Sequence, residues 1–437
     1  MLTMQWNVLW LTVGIALTTA TQLRVGGGAI GPGEAMLVVW ILFTIGRVLV
    51  AQHHLISPVV KAVLLFWITC CIALALGVAI ASSKGIAAVE ADINHNMQAL
   101  LLASLFSLLF TISFTSVQPL KQGLACFTTF VTISLGVLFF FPSILPLVSA
   151  RYADARFTGW SLNPNQTALS LLFVPFFTLY LLQANQSLFS KIWYGLLTAG
   201  AVSLGISTRS DALNIAWGIG MIVLVMFAID RFSLSLFAQH HYSPVRRVIY
   251  RLLTRLFLLM SALSALPILY YAVSSTAVEV YDEGGQGGSR LRLWMNGLAA
   301  LSRSPLFGLG PGSHSGGIAP FLSMECHNTF IDWATNTGIV GLISYVSLLV
   351  WIGWITWRKE LPILFAGVIA SVGFVSFHYV LRQPIYWFGL LAIAEMALLT
   401  PRHQHWFRQT AEPARDAEQI ILTHIAVSEK ISRSTGS

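Results

Sequence analysis

An all-α bundle of about twelve membrane-spanning helices is the fold class this sequence predicts, and three observations predict it. Hydrophobic residues fill 56% of the 437 positions and charged residues only 10%. Mean hydropathy is strongly positive, at +0.74. Apolar windows long enough to cross about 30 Å of hydrocarbon recur along the chain. A water-facing surface needs far more charge than this, so lipid is the solvent for most of the protein. The 27 Phe and 14 Trp suit helix ends anchored at the two interfaces.

The opening MLTMQWNVLWLTVGIALTTATQL lacks the positively charged start of a cleaved signal and reads as a first span at 5–23. Apolar runs at 35–52, 62–82, 98–117 and 123–148 come next, and a sixth at 167–184 is introduced by the turn-forming Asn163-Pro164-Asn165. Only STRSD separates the seventh and eighth runs, 191–208 and 211–229. Together they are nearly twice a bilayer, so they are expected to form a tight hairpin. A ninth run at 253–273 comes after the basic SPVRRVIYRLLTRL, which suits anionic headgroups. The last three lie at 339–357, 361–379 and 384–400. Residues 1–400 thus read as one membrane domain, 274–338 as its main outer loop, and 401–437 as a polar, disordered cytoplasmic tail. No internal repeat is visible.

Twelve spans put both termini on one side. If that side is the cytoplasm, Lys and Arg in the connections split 16 inside to 9 outside, the bias expected of cytoplasmic loops. The formal charge of +8 is then largely topological, which removes nucleic acid from the expected partners. Four cysteines (Cys70, Cys71, Cys126 and Cys326) make no CxxC or metal-ligand spacing, and no DxD-type motif occurs, so neither a metal nor another cofactor is expected.

Ionisable residues avoid the middle of the helices; Arg47 and Glu395 lie near inner ends. A proton- or ion-coupled carrier needs buried midplane charges, so the unusual polar residues of the outer connections are the better guide. Arg209, in STRSDAL, can grip a phosphate with paired donors beside the amides opening the next helix, or snorkel toward Asp211 or lipid headgroups. Arg290 and Arg292 lie in GSRLRLWMNG, where helical spacing puts Arg290 on the face of Trp294 and turns Arg292 elsewhere. Arg156, in ARFTGWSLNPNQ, is a further outer cation. In ECHNTFIDWATNTGIVGL, His327 can accept a proton near neutral pH or brace a loop. Asn328, Asp332 and Thr335 or Asn336 would line one polar stripe of a short helix, with a glycine turn leading into the tenth span. His314 and Cys326 are weaker rivals.

Taken together, SRLRLWMNGLAALSRSPLFGLGPG, HNTFIDWATNTGIVG, STRSDAL and RFTGWSLNPNQ resemble the bacterial O-antigen ligase and polysaccharide polymerase family. The pattern His-Asn, nine residues, Gly, two residues, Gly falls on His327, Asn328, Gly338 and Gly341. The resemblance implies a metal-independent, inverting GT-C-type glycosyltransferase on the periplasmic face. It implies a glycan donor on undecaprenyl diphosphate and an acceptor that is another glycan or lipid A-core. Chain-length regulator and flippase proteins would be partners besides membrane lipids. The family arginines fall on Arg209 and Arg290 and the family histidine on His327; Arg292, Arg156, Asn328 and Asp332 would line the diphosphate or glycan. His327 comes only 37 positions after Arg290, a compact connection that favours a polymerase over a ligase. The rival of another class is a polytopic transporter or flippase.

Overall fold

The computed structural model describes residues 6–24, 30–51, 57–86, 90–114, 116–146, 148–152, 156–239, 286–316 and 321–401. Their regular structure is helical, with a single isolated β-bridge between Arg151 and Phe157 among the described residues. In chain order the helices are α1 (Trp6–Leu17), α2 (Pro32–Ala51), α3 (Pro58–Ser83), α4 (Glu90–Ser113), α5 (Val117–Phe140), α6 (Pro164–Leu171), α7 (Val174–Ala184), α8 (Leu188–Ser207), α9 (Asp211–Gln239), α10 (Gln286–Arg303), α11 (Thr329–Arg358), α12 (Pro362–Val375) and α13 (Pro384–Leu399). The run expected at 253–273 and the tail from 402 onward lie outside the described residues.

Seven stretches among the described residues are long and apolar enough to cross a membrane: parts of α2, α4 and α9, the whole of α3, α5 and α11, and the α6–α7 pair. Helices α1, α12 and α13 are shorter apolar ones. Their surfaces agree with a lipid surround. On α11, Ile343, Val346, Val350 and Trp354 recur at helical spacing and are exposed, while Tyr345, Leu348, Leu349 and Ile352 on the opposite face are buried. Exposed apolar stripes of this size are the mark of a membrane-facing surface. The chain is a multi-pass membrane protein.

Helix α13 is apolar all round apart from Glu395 near its end, as suits a helix in the middle of a bundle. Every residue from Pro384 to Ala397 is buried, and α1, α3, α4, α5, α6, α11 and α12 pack around it. Aromatic rings fill the interior next to it: Phe66, Trp67 and Trp387 pack with centroids 4.9–5.3 Å apart. Tyr345 and Tyr386 satisfy each other's hydroxyls at 2.7 Å.

Three departures from straight helices have local causes. The sixth span breaks between α6 and α7 just before Pro175, which has no amide hydrogen to donate, and Trp217 Nε1 donates to the Leu172 carbonyl at the break (3.0 Å). Helix α11 is kinked at Gly338 (φ 66°, ψ −168°), a conformation open to glycine alone. A Cβ there would lie 2.1 Å from the Leu306 carbonyl oxygen. The run expected at 361–379 ends its helix at Val375, leaving 376–383 as a connection. Gln383 must be extended ahead of Pro384, and Thr329 Oγ1 supplies the connection with hydrogen bonds, donating to the His378 carbonyl and accepting from Val380 N (3.2 Å).

Candidate active site

The expected hairpin is present, with residues 208–210 joining α8 to α9. Its small polar side chains turn back into α8: Ser207 Oγ donates to Leu204 O (2.6 Å) and Thr208 Oγ1 to Gly205 O (2.6 Å). Thr208 and Ser210 are buried, whereas Arg209 is exposed and sits in the left-handed region at φ 51°. The last carbonyls of α8 need partners from outside the helix, and the segment 156–157 provides them. Phe157 N donates to Ser207 O (3.0 Å), Arg156 Nε to Thr208 O (3.0 Å) and Arg156 Nη2 to Arg209 O (3.1 Å).

The second part of the site is built by α10, the loop to Asn328 and the start of α11. Trp294 Nε1 donates to the Cys326 carbonyl (2.8 Å), which pins α10 against the residue before His327. Arg290, one turn earlier on the same helix, is half-buried. Cys326 is fully buried, and its amide donates to Asp332 Oδ1 (3.1 Å). Burial, with Asp332 alongside, pushes the Cys326 thiol well up, so it is no nucleophile. Asn328 caps α11, its Oδ1 accepting from Phe330 N (3.0 Å) and Ile331 N (3.2 Å). Between two such constraints His327 takes φ 56°, left-handed like Arg209.

The polar stripe on α11 faces inward. Asp332, Thr335 and Asn336 are buried, and the backbone from Thr335 to Ile339 pairs with the glycine loop of 304–312. Leu309 N donates to Thr335 O (2.8 Å), Gly310 N to Asn336 O (3.0 Å) and Ile339 N to Pro305 O (2.8 Å). The Asn336 amide, its nitrogen turned toward this loop, donates to Gly310 O (3.1 Å) and Gly312 O (3.0 Å). His314 is tied to Gly310 O (2.8 Å). Burial holds it below the usual histidine range, partly offset by that bond.

The connection 376–383 brings residues that the motifs did not single out. The His378 ring stands edge-on to that of His327 with centroids 6.5 Å apart, and packs on Phe374 at 4.8 Å. Arg382 forms an ion pair with Glu325, donates to Asn96 Oδ1 (3.0 Å) and lies over the Tyr379 ring. The available signal was the polar HY and R of FHYVLRQP between two apolar runs.

The electrostatics show which expected residues converge. Burial, then Arg290 and Arg382, lowers the pKa of His327. Burial, then Arg290, His327 and Arg156, holds His378 at about 3. Arg290 is itself lowered by burial and by Arg156 and supported by Asp211, while remaining a cation. Arg156, Arg290, His327 and the Arg209 turn are therefore gathered at one end of the bundle. Arg292 is exposed, on a different face of α10 from Trp294. Asn328 and Asp332 serve as cap and loop anchor. Among the described residues no cluster of three or more His, Cys, Asp or Glu forms a metal-binding group.

A multi-pass helical membrane protein with a cationic, histidine-bearing site at one end of its bundle is the class these features define. Residues 194–346, about a third of the chain, match the family described as O-antigen ligase. The matched segment contains Arg209, Arg290, Arg292, His327, Asn328, Asp332, Gly338 and Gly341. Over this segment the chain is similar to the O-antigen ligase family, which supports the expected relationship to the ligases and polymerases. A search among curated proteins finds no match. The family carries a glycan-transfer function at a membrane.

Proposed function

We propose that this protein is a metal-independent, inverting GT-C-type glycosyltransferase of the bacterial inner membrane. It acts at the periplasmic face on undecaprenyl-diphosphate-linked glycans and joins repeat units into a surface polysaccharide or exopolysaccharide. The observation that carries this reading is the convergence of Arg290 and the Arg209 turn on a half-buried histidine.

In the reaction, an acceptor hydroxyl oxygen attacks the anomeric carbon from the side opposite the diphosphate. The bond from that carbon to the phosphate-linked oxygen breaks, and its electron pair leaves with the lipid diphosphate. Arg209 and Arg290 hold the charge that grows on the leaving group, work suited to the paired donors of a fixed guanidinium. His327 takes the proton of the attacking hydroxyl, and its lowered pKa keeps it neutral and ready at pH 7. Arg292, exposed on α10, meets the outer part of the glycan. The donor already carries the energy of the sugar–diphosphate bond, so nucleotide is not required.

The 37 positions from Arg290 to His327 leave little chain to cradle a large acceptor, which favours polymerisation. The second reading, transfer of the glycan to lipid A-core, is favoured by the description of the matched family. The product separates them in a deletion strain. Single repeats still attached to acceptor mean polymerase; full-length polymer left on undecaprenyl diphosphate means ligase. For the enzyme reading itself, Arg209→Ala, Arg290→Ala and His327→Ala are each expected to abolish long-chain glycan while the protein stays in the membrane. Normal banding in all three would make the protein a transporter or scaffold.

A further inference from the structure

The geometry points to Arg156 as a positioning residue: its guanidinium holds the α8–α9 turn in the shape that presents Arg209, and does so from outside the matched family segment. This rests on the reading that Arg209 binds the diphosphate.

A left-handed, non-glycine residue at the tip of a helical hairpin costs energy and persists only where its surroundings over-determine it. Here the surroundings are three bonds from one short segment. Phe157 N takes Ser207 O, and two nitrogens of a single guanidinium take the carbonyls of Thr208 and Arg209. These are successive carbonyls of the turn, at 3.0, 3.0 and 3.1 Å, so the segment acts as a C-terminal cap supplied in trans. A planar fork can reach two adjacent carbonyls at once, and an ammonium cannot reproduce that geometry.

Arg156 is itself anchored. Its own carbonyl accepts from Tyr152 N (2.9 Å), and Thr158 N donates to Ala150 O (3.0 Å), pairing residues 150–152 with 156–158. Trp160 and Ser161 then tie the same segment to Thr19, just past the end of α1 (2.9 and 2.6 Å). The strut therefore connects the Arg209 turn to the interior of the bundle. Two of its nitrogens are spent on the backbone, which separates its role from that of a free phosphate clamp.

The test compares Arg156→Lys with Arg209→Ala in the full-length protein. One measurement is surface-glycan laddering in complemented cells; the other is hydrogen exchange of the peptide spanning 205–214 in detergent-purified protein. Lysine keeps the charge and loses the fork. Misplacing a binding group by about an ångström costs roughly a hundredfold, so Arg156→Lys is expected to lose nearly all long-chain glycan. It is also expected to speed exchange in that peptide while distant helices exchange as before. Wild-type laddering from Arg156→Lys would overturn the proposal. So would lost laddering with unchanged exchange, since Arg156 would then act on the substrate directly. If Arg209→Ala still makes polymer, the diphosphate reading fails, whereas the exchange measurement still reports whether Arg156 holds the turn.

Discussion

Arg209 and His327 make an instructive pair. Each is a non-glycine residue in the left-handed region, at φ 51° and φ 56°, and each stands just before a helix, α9 and α11 respectively. Their settings differ. Arg209 is exposed on a three-residue turn, and its backbone is held by a guanidinium from a distant segment. His327 is half-buried between a fully buried cysteine and a capping asparagine, with Trp294 and Asp332 fixing the residue before it. The difference matches two chemical tasks. A cation that meets a charged ligand must stay hydrated and reachable, whereas a base must be kept neutral, which burial and neighbouring arginines achieve. Backbone strain is common to both; solvent access is what separates them.

The largest effect should come from removing the side chains themselves. His327→Ala is expected to lower transfer by about 10²–10⁴-fold, and Arg209→Ala by about 10²–10³-fold, read as rates in purified, reconstituted protein. Comparable residual rates above one tenth of wild type would dissolve the distinction between base and clamp.

A pH profile sharpens it. His327 is a base whose folded pKa is depressed, so the rate should hold as pH falls through the ordinary histidine range and drop only below it. Arg382→Gln removes one cause of that depression, so the acid limb should move to higher pH, toward the unperturbed value of about 6.5. An unmoved limb would mean that a group other than His327 titrates. The same change at Arg382 should leave Arg209-dependent binding of undecaprenyl diphosphate intact.

Strain offers a smaller but cleaner contrast. Arg209→Gly should abolish activity and yet raise thermal stability in detergent by on the order of 1 kcal/mol, because glycine adopts positive φ freely. A fall in stability instead would show that the Arg209 side chain holds the turn. The smallest effect is expected from Trp294→Phe, which keeps the ring and deletes the hydrogen bond to Cys326 O. Losing one such bond costs about 1 kcal/mol, so the rate should fall several-fold with the Arg209 turn unaffected. A loss as deep as that of His327→Ala would mean that α10 does more than anchor the loop.

Much of this architecture was readable along the chain. Apolar windows located the helices because lipid rewards one simple property, length of hydrophobic run. The STRSD break, the helical run around Arg290 and the glycine turn before the tenth span were likewise visible as local interruptions of that property. What was not visible was the partner of each polar group. Arg156 reads along the chain as one more outer cation, and two of its nitrogens donate to the carbonyls of Thr208 and Arg209, more than fifty residues away. Asn328 and Asp332 looked like ligands on a stripe and are a cap and an anchor. His378 was hidden inside an apolar window because nothing local ends α12 there; Thr329, from another helix, does.

The sequence by itself determined that the protein is a helical membrane bundle, and which arginines and histidine break the apolar rule. These follow from transfer free energies that act residue by residue. Only the tertiary structure decided which of those groups face one another, which are consumed in holding the backbone, and which histidine is kept neutral by which arginine. Hydrogen bonds and charges act over a few ångströms in space, and a chain folded through a bilayer brings together residues far apart in number.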